Sequence, residues 1–124
     1  MITKIHSAAV VVSDQAAAIR FYTEILGWSI SIDQMMGDGY RFVTVIPPGG
    51  GAELALNGVG IMGDRQPGSP SGISLLCADV DATYRELADN GVHFPMMPDD
   101  MPWGARGAQF EDPDGNQFFL TLEA

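Results

Sequence analysis

The chain has 124 residues, 46% of them hydrophobic and 18% charged, with a formal net charge of -10. That is enough apolar content for one compact domain, or two small modules sharing a core, and it excludes a disordered chain. Six basic residues stand dispersed among sixteen acids, which excludes a nucleic-acid footprint and disfavours anionic membrane surfaces.

Residues 2–12 read as a first strand ending in Ala8-Ala9-Val10-Val11-Val12, apolar on both faces. Ser13-Asp14 is a helix N-cap signal, and Ala18, Phe21, Tyr22, Ile25 and Leu26 then form one apolar helical stripe that Gly27 ends. Strands are expected over 28–33, 40–46 and 52–57, the second rich in β-branched and aromatic residues. Residues 58–70 are rich in Gly and Pro and read as a linker, with Met62 expected to anchor it.

The pattern then repeats. A strand is expected over 72–78, and Asp79 caps a helix with the stripe Val80, Tyr84, Leu87 and Ala88, ended by Gly91. Residues 92–97, 105–111 and 117–122 complete the strands, with a loop over 98–104. Asp14 and Asp79 stand at equivalent strand-to-helix corners, 65 residues apart. Between the last two strands, Asp112-Pro113-Asp114-Gly115-Asn116 is dense turn chemistry: Pro presets φ, Gly accepts positive φ, and Asp and Asn bond nearby backbone. The expected fold is α+β: two βαβββ modules (about 1–57 and 71–124, linker 58–70) forming one curved eight-stranded mixed sheet, with helices on the outer face. A single module is too small for an independent core, so 1–124 reads as one domain.

Three signatures carry a family resemblance. They are Val12-Ser13-Asp14 with Phe21-Tyr22 and Leu26-Gly27, then Ala78-Asp79-Val80-Asp81-Ala82 with Gly91-Val92, and finally Phe110 with the Asp112–Asn116 turn. In this order they resemble the vicinal oxygen chelate superfamily, which includes glyoxalase I, extradiol dioxygenases, fosfomycin-resistance transferases and bleomycin-resistance proteins. The segments 36–45 and 102–104 resemble a glyoxalase-like branch. The resemblance implies a homodimer with a concave small-molecule site.

In metal-binding members of that superfamily, four concave-face residues hold a divalent cation. Position by position, the resemblance maps these onto Ser7, Glu53, Gly72 and Phe119. Only Glu53 is a good ligand for Zn²⁺ or Ni²⁺, so the expectation is no metal and no other cofactor. His6 neighbours the first position, but strand alternation turns it to the helix side as a core or sheet-flank histidine. His93 reads as solvated, and Cys77 as a small helix-side hydrophobe rather than a nucleophile.

Glu53 has two open readings: a polar hook, or a general base whose pKa burial would raise. Phe42, Trp103, Phe119 and the adaptable Met36 are candidate ligand-binding residues together with Ser7 and Glu53. Three functional classes follow. The first is a non-catalytic binder of the bleomycin-resistance type, which would sequester an aromatic or apolar molecule such as an antibiotic. The second is a metal-dependent glyoxalase-type lyase, isomerase or transferase. The third is a metal-free enzyme using Glu53. The lost ligand positions favour the first. One cysteine, no leader and no apolar run of the ~18 residues a spanning helix needs point to a cytoplasmic protein with no membrane partner.

Overall fold

A computed structural model describes residues 1–123. The chain divides into two compact units, residues 1–67 and 68 onward. The first contains β1 (Ser7–Val12), α1 (Gln15–Arg20), a π-helical turn (Phe21–Ile25), β2 (Ser29–Met35), β3 (Arg41–Ile46) and β4 (Glu53–Gly58). The second contains β5 (Pro70–Cys77), α2 (Val80–Asp89), β6 (Met96–Asp100), β7 (Arg106–Glu111) and β8 (Gln117–Leu122). The eight strands form two four-stranded mixed sheets, ordered β1-β4-β3-β2 and β5-β8-β7-β6. In each sheet the first and last strands of the unit pair in parallel and the other pairs are antiparallel. The α+β fold and the repeated βαβββ order are those the sequence predicts.

The repeat is physical as well as topological. Asp14 accepts from the backbone N–H of Ala17 at 3.1 Å, and Asp79 accepts from Ala82 at 3.0 Å. Each carboxylate satisfies one orphan donor of its helix. The two hairpin loops also match. Met36 N–H donates to Tyr40 O and Gly39 N–H to Met36 O; Met101 N–H donates to Ala105 O and Gly104 N–H to Met101 O.

A helix end explains one boundary difference. The α2 helix closes with Gly91 at φ 88°, its N–H on Ala88 O and the Val92 N–H on Leu87 O. That is a Schellman cap with Val92 buried near Leu87. Val92 is therefore the apolar residue of the cap, and the strand expected from there begins at Met96. Pro98 lies inside β6, where a loop was expected; β6 is an edge strand and its ladder with β7 is interrupted between Met96 and Asp99, the kind of place that tolerates a proline. Likewise β1 begins at Ser7 rather than residue 2, and the expected linker gives up its last residue, Pro70, to β5.

In the first unit Val10, Val12, Val43, Val45, Leu54 and Leu56 are buried with Phe21 and Tyr22. The π-helical turn follows α1 directly, with Leu26 N–H reaching Phe21 O and Trp28 N–H reaching Tyr22 O. Trp28 thereby lands against Tyr22, ring centroids 5.5 Å apart. In the second unit Val80 of α2 packs with Ala108 and Leu120, and Leu75, Cys77 and Phe94 border that cluster. Cys77 is thus a helix-side packing residue, as expected.

The Asp112–Asn116 turn is a closed hydrogen-bond system. Asp112 Oδ1 accepts from the backbone of Asp114 and Asn116, and its Oδ2 accepts from the Asn116 side-chain amide at 2.9 Å. Asn116 Oδ1 in turn accepts from Gly68 N–H at 3.1 Å. Gly68 has φ 89°, and a methyl on it would sit 2.9 Å from Asp114 O, so glycine is required there. The turn fixes the point where the second unit begins.

Candidate functional site

Strand alternation and pairing define a polar face on the first sheet. Thr44 pairs with Ala55, and Ser7, Ala9 and Val11 pair with Glu53, Ala55 and Asn57. Paired residues share a face, so Ser7, Glu53, Asn57, Thr44 and Phe42 lie on one side. The buried Val10, Val12, Val43, Val45, Leu54 and Leu56 of the same strands take the opposite side. Thr44 donates its hydroxyl to Glu53 Oε1 at 2.6 Å, and its oxygen accepts from Ile32 N–H at 3.1 Å. Ser31, at the irregular step between Ile30 and Ile32, also helps to stabilise the Glu53 carboxylate. At the other end of this face Tyr40 donates to Asn57 Oδ1 at 2.8 Å, its ring 6.5 Å from that of Phe42.

These bonds overturn one expectation. The Glu53 carboxyl sits below the ordinary glutamate range, because the Thr44 hydroxyl stabilises its charged form most, partial burial opposes this, and Ser31 and His6 add to it. A raised pKa needs burial to dominate; here hydrogen bonds to the anion dominate. Glu53 is a fixed anion and a weakened base. His6 is exposed rather than in the core, and its backbone O accepts from Glu53 N–H. Burial raises the pKa of the Tyr40 phenol, so it remains a neutral hydrogen-bond donor at pH 7.

In the second unit Phe119 faces away from the α2 cluster, as alternation with buried Phe118 and Leu120 requires. Its ring lies over Gly107, and Trp103, at the tip of the β6–β7 hairpin, has its ring centroid 6.3 Å away. Trp103 is 69% exposed. A shallow hollow of about 200 Å³ opens beside Phe119, lined also by Ser71, Gly72, Ser74, Gln109 and Gln117. Gly72 sits at a register break of β5 with φ 73°, a conformation that side-chain-bearing residues rarely adopt. Met36 is an exposed residue of the β2–β3 loop. His93 is exposed and lies 3.8 Å from Glu111.

The four positions that would correspond to a metal site do not supply a metal's donor set. Ser7 and Glu53 are adjacent in the first sheet, but Gly72 has no side chain and Phe119 offers a ring. Among the described residues no group of three or more His, Cys, Asp or Glu is placed to hold a metal ion. Sequence reading does not single out Thr44, Ser31 or Asn57. Thr44 was reachable by stepping two residues along the strand from Phe42, whereas the Ser31 irregularity has no residue signature.

The chain belongs to the Glyoxalase/Bleomycin resistance protein/Dioxygenase superfamily, whose pattern it matches over residues 4–120. It is 37% identical over 120 residues to the uncharacterised protein YetH of Bacillus subtilis (strain 168), covering 97% of this chain and 98% of that one. Its fold superposes with a TM-score of 0.95 on a superfamily member from Sphaerobacter thermophilus DSM 20745, at 46% identity over 99% of both chains. TnmS3, an antibiotic binding protein from Streptomyces sp. CB03234, is 36% identical with a TM-score of 0.86, over 99% of this chain and 98% of TnmS3. Among the described residues no helix is long and apolar enough to cross a membrane.

Proposed function

We propose that this protein is a non-catalytic small-molecule-binding member of its superfamily, holding a flat aromatic or apolar ligand without a metal ion. The observation that carries the reading is the Trp103–Phe119 pair. An indole left 69% exposed at a hairpin tip, beside a ring set over a glycine, is a ready stacking surface. The likeness to an antibiotic binding protein supports a small-molecule ligand. The donor set at Ser7, Glu53, Gly72 and Phe119 supports binding without metal. The low Glu53 pKa makes it a poor base for removing a proton from carbon.

The binding unit is proposed to be a homodimer working in the cytoplasm with no nucleic-acid partner. Ile30, Met35, Leu76 and Met97 are large apolar residues left exposed on the single chain. Sedimentation should give twice the 13.3 kDa of one chain; a monomer at micromolar concentration would reject the dimer.

Titration with acridone, a neutral planar tricycle, tests the stacking. Tryptophan emission should be quenched in wild type, and Trp103→Ala should weaken binding about three- to tenfold, the worth of one aromatic pair. Equal affinity in the two proteins would reject Trp103 as a ligand contact.

A further inference from the structure

Building on the small-molecule-binding reading above, we propose that Gln109 determines which flat ligand is taken. Its side-chain carboxamide is the two-point hydrogen-bonding partner of a cyclic amide (lactam) carried by the ring that stacks at Phe119. All the residues concerned belong to the second unit.

Register places Gln109 beside the ring. Ser74 of β5 pairs with Phe119 of β8, and Phe119 pairs with Gln109 of β7. Paired residues share a face, so the Phe119 ring stands between a hydroxyl and a carboxamide in one row across three strands. Two strand spacings separate the ends of that row by about 10 Å, which suits a fused tricycle. All three residues line the hollow of about 200 Å³, and Gly72, which also lines it, brings no side chain to fill it. On the far side of Gln109 the row reaches Met96 of β6, whose thioether is only a weak acceptor.

Hydrogen bonding sets Gln109 apart. Among the described residues the other buried or half-buried carboxamides are engaged. Gln15 donates to Arg41 O and Leu56 O, Asn57 accepts from Tyr40, Asn116 bonds Asp112, and Gln117 donates to Glu111. Gln109 is half-buried with no such partner among the described residues. A carboxamide offers a donor and an acceptor side by side, and it gains most from a group that meets both. A lactam does so along one edge of its ring: Nε2 donates to the ligand carbonyl while Oε1 accepts from the ligand N–H. A ketone or carboxylate at the same place satisfies Nε2 alone and leaves Oε1 unmet. With its edge on Gln109, the ligand ring lies over Phe119 toward Trp103, whose ring centroid is 6.3 Å from that of Phe119.

The experiment titrates the protein at pH 7 with phenanthridinone, a planar tricyclic lactam, and with 3,4-benzocoumarin, the lactone of the same shape. The lactone keeps the carbonyl and the stacking surface but turns an oxygen, rather than an N–H, toward Oε1. Wild type should bind the lactam at least about fivefold tighter, the worth of one net hydrogen bond. Gln109→Met, close in shape but without the amide, should remove that preference. Gln34→Met, which removes an exposed carboxamide on β2, should leave it as in wild type. Equal binding of the two probes by wild type, or a preference that survives in Gln109→Met, overturns the assignment of Gln109. In that case acridone binding that weakens in Trp103→Ala still upholds the stacking surface. Failure of all three compounds to bind wild type rejects both.

Discussion

Thr44 donates its hydroxyl to Glu53 Oε1 at 2.6 Å, from a fully buried position on β3 to the first residue of β4. This bond, more than burial, sets the charge state of the carboxylate. The folded pKa lies below the unfolded one, so the interaction is fully present above the usual glutamate range and is lost as pH falls through the folded value. Wild type should therefore hold Glu53 ionised throughout pH 5 to 8. A carbon-detected NMR titration of the Glu53 carboxyl should show a midpoint below about 4.3, the ordinary glutamate value. In Thr44→Val the midpoint should rise, and stability should fall by about 1–3 kcal/mol, since Ile32 N–H also loses its acceptor. An unchanged midpoint in Thr44→Val would remove the hydroxyl as the cause.

The Asp112 carboxylate and the Asn116 amide close the family turn upon themselves and upon Gly68. Both residues are nearly inaccessible, so removing one strands the polar groups of the other. Asn116→Ala should cost about 2–4 kcal/mol in denaturant unfolding. Its acridone affinity, measured well below the midpoint, should match wild type, because the turn shapes the chain and touches no ligand. A stability change under about 0.5 kcal/mol, the scale of ordinary surface substitutions, would show that the network is not needed.

The two βαβββ modules could be read from sequence because their determinants are local. Capping aspartates, apolar stripes and glycines at helix ends each fix one boundary by short-range chemistry. The face of Phe119 follows from period-two alternation with the buried Phe118 and Leu120. The strand expected from Val92 failed because an apolar residue after a helix-ending glycine serves a cap or a strand equally well. The Glu53 charge state was not legible, since the hydroxyls that set it come from Thr44 and Ser31, on different strands from Glu53 and from each other. Cross-strand partners depend on register, and the irregular step at Ser31 leaves no mark in residue type.

If ligand binding needs no metal, metal removal should change nothing. Elemental analysis of the purified protein should find Zn, Ni, Mn and Fe well below one atom per chain. Acridone titrations with and without EDTA should overlay. One equivalent of a divalent metal, lost together with binding on chelation, would reject the metal-free reading and restore the glyoxalase-type alternative.

Gly107 sets the position of the Phe119 ring. A methyl added there would overlap the ring edge and also approach Leu120 O at 3.3 Å. The backbone of β7 is fixed by its ladder with β8, so the ring must swing away. Gly107→Ala should leave the sheet folded, at a cost of about 1–3 kcal/mol for overpacking. The displaced ring would no longer stand beside Trp103, and acridone binding should weaken by about the same three- to tenfold as in Trp103→Ala. The double variant should then lose little more than either single one, because both remove the same stacking surface. Additive losses would show that Trp103 and Phe119 contact the ligand independently, and an unaffected Gly107→Ala would show that the Phe119 ring takes no part.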